Sequence, residues 1–222
     1  MQYSEKQVKV FRLYLRSLDF GVELYEPILY TLQSAIGDSV KHIGVVAESQ
    51  DRPEIINWSI DDECDQIESL LGLSFVSCQL SITSVVSECK RLHEFYERQM
   101  GIREIAGHKD DKPALLARCT AFVGVTHNTV ISAIDAFANY FKHRDEWGVD
   151  WNALKGKALD TAKVIQSLGA QSGSTGNLRQ GYEAILGNHD YQRVLKLGAL
   201  VRDWAAALKG EYKGELLRPH TP

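Results

Sequence analysis

The feature that most constrains this chain is a proline-free run from Ser59 or Asp61 to about Met100. Within it Ile67, Leu71, Phe75, Cys78, Ile82, Val85, Cys89, Leu92 and Tyr96 recur every three or four residues. That spacing puts all of them on one helical face and predicts a single long core helix. Asp61, Asp62, Glu63 and Asp65 crowd its start, and Lys90, Arg91 and Arg98 its end. This polarity complements a helix macrodipole at both termini. A stripe of that length has to be covered by other helices.

The flanking segments carry the same period. Ser4 is placed to cap a first amphipathic helix through Val8, Phe11, Leu15 and Leu18, and a second helix begins near Pro27 with Ile28, Leu29, Leu32 and Ile36. The short apolar run at 42–48 fits a short strand or a continuation of that helix, of which the helix is preferred, and 50–53 reads as a loop. Residues 101–113, with two glycines, a charge run and a proline, read as a connection, with Pro113 in the first turn of the next helix. A second long helix is expected through Leu115, Cys119, Phe122, Val123, Thr126, Val130, Ile134, Phe137 and Phe141, bent at Gly124 and closing between His143 and Trp147. Helices over 156–168, 178–186 and 191–208 follow, with a polar Gly/Ser loop at 169–177. The expected fold is all-α: an antiparallel helical bundle with two long core helices and several shorter ones, one domain over 1–210, and a frayed tail over 211–222.

With 222 residues, 44% hydrophobic and 24% charged, the chain can bury a sizeable core, and its net charge of −4 argues against a protein that coats nucleic acid non-specifically. Cys64, Cys78, Cys89 and Cys119 form no metal-ligand spacing and read as small buried hydrophobes, so neither a metal nor another cofactor is expected. The first twenty residues have charges inside their apolar stretch and no cleavage site, and no apolar run reaches the roughly 18 residues of a membrane helix. The expected location is the cytoplasm, away from membranes.

One cluster is chemically suggestive. Asn139, Lys142, His143 and Arg144 gather at a helix end, followed by Asp145, Glu146 and Trp147. Asn139 and His143 are four residues apart and share a face, so the pair can address one ligand. An imidazole beside fixed cations suits metal-free proton transfer at a phosphodiester, with Lys142 or Arg144 stabilising the developing charge. The competing reading is that the three basic residues simply complement the negative end of the helix dipole. Trp147 either stacks on a base or, with Trp151, closes the core. The Gly/Ser loop lacks the GK[ST] ending of a P-loop and follows no strand, so it reads as a helix connection.

The segment Ala138-Asn139-Tyr140-Phe141-Lys142-His143 resembles the motif of the HEPN superfamily, in which an arginine and a polar residue precede a histidine at the end of a bundle helix. Residues 72–93 and 139–147 are similar to bacterial helical proteins of the same group. The resemblance implies an all-α homodimer with facing motifs and, in active members, metal-independent RNA cleavage, in a toxin–antitoxin or phage-defence setting where a protein partner or antidote is present. On that mapping His143 is the general acid or base, Asn139 orients, and Lys142 and Arg144 hold phosphate. Ala138 occupies the place of the motif arginine. The alternative that this leaves open is a non-catalytic helical protein-interaction module. Arg103 and His108 form a second arginine–histidine spacing, placed in a loop, and are carried as candidate substrate-binding residues.

Overall fold

The computed structural model describes residues 4–100 and 111–217. Ser4 opens α1 (Glu5–Glu23) as a capping box, its hydroxyl accepting from the Gln7 N–H at 3.3 Å while the Gln7 amide oxygen accepts from the Ser4 N–H at 2.9 Å. α2 (Glu26–Ala47) carries Pro27 in its first turn and runs through the 42–47 segment as expected. After a short turn, α3 extends from Pro53 to Met100, 48 residues, or about 72 Å at the rise of an α-helix.

α3 starts six or more residues before the expected Ser59 or Asp61, because proline lacks only an N–H that a first turn leaves unpaired. The Arg52 carbonyl accepts from Ile55 and Ile56 at 2.9 and 3.1 Å and closes that turn. All nine residues of the anticipated stripe are buried. α3 is the central post, touching α1, α2, α5, α7 and α8. An 18-residue window within it has the length and composition of a membrane-crossing helix, although no such run was expected, and 61% of that window is buried inside the bundle. Serines interrupt it in the sequence, and Ser74 and Ser77 turn their hydroxyls onto the carbonyls four residues back, at 2.8 and 2.9 Å. In that state they tolerate burial.

The second long helix expected over 113–143 is instead two helices, α4 (Lys112–Ala117) and α5 (Val130–His143). Between them the chain turns at Cys119 and Gly124, with φ of 54° and 53°, and an isolated bridge pairs Phe122 with Thr129. The Thr129 hydroxyl then accepts from the Ser132 N–H at 3.2 Å and starts α5 afresh. Phe122, expected in the core, is 61% exposed. Short 3₁₀ turns at Arg144–Glu146 and Trp151–Ala153 lead to α6 (Gly156–Ser167), α7 (Asn177–Leu186) and α8 (Leu195–Leu217). The expected tail is helical as far as Leu217, with Tyr212 fully buried. Among the described residues there is no strand beyond the single bridge, so the fold is all-α.

α5 is held between α3 and α7 by two close approaches. The Phe141 ring lies where a side chain at Gly72 would stand, and the Phe137 ring where one at Gly181 would. Phe137 also stacks on Phe75 with ring centroids 5.4 Å apart. This packing fixes where α5 ends, and therefore where its basic cluster sits.

Candidate functional site

Asn139 lies between α5 and α3 and is held there. Its amide oxygen accepts from Gln79 Nε2 at 3.0 Å, and its amide nitrogen donates to Asp135 Oδ2 at 3.4 Å. Gln79 Nε2 also donates to Asp135 Oδ1 at 2.8 Å, and Lys112 Nζ reaches that same oxygen at 2.7 Å. The four side chains form one polar network that gives the buried Gln79 and Asp135 their partners.

His143 is at the rim instead. Its side chain is 49% exposed, and Nδ1 lies 3.2 Å from Glu146 Oε1. Lys142 is exposed. The Arg144 guanidinium lies over the Phe141 ring at 4.8 Å from its centroid, beside the Asp145 carboxylate at 4.0 Å. Asn139 and His143 share a face as the spacing required, but Asn139 is committed to Gln79 and Asp135, and His143 faces solvent and Glu146. Ala138, in the place of the motif arginine, is fully buried. A guanidinium there has no room without repacking the core.

Trp147 is buried against Tyr140 and Trp151, with centroids at 5.4 and 5.6 Å. It closes the core and offers no face for stacking on a base. Arg103 and His108 lie outside the described residues.

Arg144 borders a cavity of about 390 Å³ between α3, the end of α5 and the Gly/Ser loop, where Asp65, Glu68, Asp145 and Ser174 also contribute. Of the three carboxyl groups in the lining, that of Asp145 lies beside Arg144 and that of Glu68 beside Arg179. Glu68 is the side chain that the sequence reading missed. Buried on α3, it accepts from the Leu178 and Arg179 N–H groups at 2.6 and 3.1 Å and lies 3.4 Å from Arg179 Nε. It caps α7 from another helix, since Gly176 at the start of α7 offers no side chain. Burial raises the Glu68 carboxyl above its ordinary value of 4.5, outweighing the donors that stabilise its anion. The signal was present: Glu68, Leu71 and Phe75 fall at helical spacing within the buried stripe.

Asn177 organises the Gly/Ser loop. Its amide nitrogen donates to the Tyr140 hydroxyl at 3.0 Å and to the Gln171 and Ser174 carbonyls at 2.8 and 3.1 Å, while its oxygen accepts from the Gln171 N–H at 2.8 Å. The loop is a hydrogen-bonded connection between α6 and α7. The buried thiols of Cys78 and Cys89 are raised to about 12 and about 11 by desolvation, so both are inert thiols at neutral pH. Among the described residues no cluster of His, Cys, Asp and Glu is arranged to hold a metal ion.

Compared with protein-family models, curated proteins and solved structures, the chain matches none of them. The class defined by fold and site is an all-α helical protein with a carboxylate-rich cavity at the end of its fifth helix.

Proposed function

We propose that this chain is a non-catalytic helical protein-interaction module. The observation that carries the reading is the placement of Asn139: its amide oxygen accepts from Gln79 at 3.0 Å and its nitrogen donates to Asp135 at 3.4 Å, which ties it to α3 and away from the exposed His143. Two further features support it. Ala138 is fully buried where a phosphate-holding arginine would be needed, and the cavity beside Arg144 also carries Asp65 and Asp145, whose charges oppose a phosphodiester.

The second reading is an RNA-binding or metal-independent RNA-cleaving protein of HEPN type. It is favoured by the solvent access of Lys142 and His143, two groups able to bind phosphate and exchange protons. That reading calls for a homodimer with facing motifs, so a strict monomer by light scattering counts against it.

One assay separates the two. Pure protein is incubated with mixed RNA in EDTA, beside a His143→Ala variant. The interaction-module reading expects intact RNA in both reactions; cleavage by the wild type alone supports the nuclease reading and assigns His143 to it.

A further inference from the structure

The outer part of the α2–α3 hairpin differs from the rest of the molecule. From Val40 to Gln66 no residue is buried; Val40 and Ile43 still lie against the core and Asp65 borders the cavity at the end of α5, while the tip between them stands away from it. Its exposed face is nonetheless apolar in part: Val45 is 68% exposed, Ile55 50% and Trp58 70%. Ile55, Trp58, Asp62 and Asp65 follow one another at three, four and three residues and so share one face of α3. A largely exposed tryptophan with apolar neighbours marks a surface meant to be covered.

The charge on the same stretch says what covers it. Between Asp38 and Asp65 there are eight carboxylates against Lys41 and Arg52, a net −6 where the whole chain carries −4, so the remaining residues sum to +2. Only two of the eight have a partner within ion-pair distance among the described residues: Asp38, 3.6 Å from Lys41, and Glu63, 2.5 Å from His42. A nucleic acid or an anionic membrane is repelled by this surface. A second copy docked about a two-fold axis sets like charge against like charge. What remains complementary is a polypeptide that is positively charged and apolar on one face.

We propose that the hairpin tip is the docking surface for a basic amphipathic helix of a protein partner, with Trp58 as the anchor and Asp61 and Asp62 facing its lysines or arginines. The inference rests on the interaction-module reading and names the partner chemistry for it. Such a helix lays its apolar stripe over Trp58 and Ile55, while the carboxylates steer its approach and fix its orientation.

The test uses the full chain and a synthetic 18-residue helix with leucine at i, i+3, i+4 and i+7 and lysine elsewhere, followed by fluorescence anisotropy. Two control peptides are a scramble of the same composition and a version with glutamate for lysine. Saturable binding is expected for the amphipathic peptide alone, weakened at least tenfold by Trp58→Ala, by Asp61→Asn with Asp62→Asn, and by a rise from 50 to 500 mM salt. Val125→Ala, at another exposed apolar position, is expected to leave binding unchanged. Equal binding of the scramble, indifference to Trp58→Ala, no binding at all, or Trp58-dependent self-association in light scattering each overturns the proposal. Binding that follows the amphipathic pattern but ignores Trp58→Ala removes this surface and leaves the interaction-module reading standing; RNA cleavage in EDTA removes the reading itself.

Discussion

Glu63 and Glu68 sit five residues apart on α3 and belong to different regions of the molecule. Glu63 stands on the hairpin, where a hydrogen bond with His42, 2.5 Å away, lowers its carboxyl. Glu68 is inside the body, where burial raises its carboxyl although two backbone N–H groups and Arg179 surround it. The same helix thus passes from a region held by pairwise surface contacts to one held by packing and buried polar contacts. The body spends its polar side chains on holding itself together: Gln79, Asn139 and Asp135 across α3 and α5, Asn177 under the Gly/Ser loop, and Glu68 at the start of α7. The hairpin tip leaves Asp61, Asp62 and Trp58 outward. Other apolar side chains such as Phe122 and Val125 are exposed as well, but at the tip an exposed tryptophan coincides with a net negative surface, and that combination is the better place to look for function.

This contrast can be broken at several points. Phe137→Ala in the body should cost about 4 kcal/mol, since it empties the space between Phe75 and Gly181. Trp58→Ala at the tip should stay within about 0.5 kcal/mol. Urea unfolding compares the two, and equal losses would mean that the tip is part of the cooperative core. Glu68→Ala should cost about 3 kcal/mol because it strips the Leu178 and Arg179 N–H groups of their acceptor. Asp62→Ala should again change little.

The smallest effects are in pH dependence. Glu63, lowered from 4.5, contributes stability that is present above its unfolded value and lost as pH falls through the folded one. Glu68, raised from 4.5, has the opposite sign: its contribution is full below its unfolded value and is lost as pH rises through the folded one. Carboxyl ¹³C titration should find the two midpoints on opposite sides of 4.5, and a common midpoint would erase the distinction.

The α3 stripe was legible because nine apolar residues kept helical spacing with no proline to interrupt them. The same rule failed between Ala117 and Val130, where apolar residues continue at helical spacing but Cys119 and Gly124 adopt positive φ and Thr129 caps a new helix. Periodicity alone does not register a break made by backbone conformation. The shared face of Asn139 and His143 was also readable. That Gln79 claims Asn139 was not, because the partner lies 60 residues away in the chain. Glu68 and Asn177 escaped for the same reason, each acting on an element distant in sequence or on a loop whose shape it creates.

The most direct measurement is chemical-shift mapping on isotope-labelled full-length protein, titrated in parallel with the basic amphipathic peptide and with single-stranded RNA. The account predicts that the peptide moves backbone resonances between residues 41 and 66 and that RNA leaves 139–144 in place. RNA-dependent shifts centred on Asn139, Lys142 and His143, with the hairpin silent toward the peptide, would contradict it.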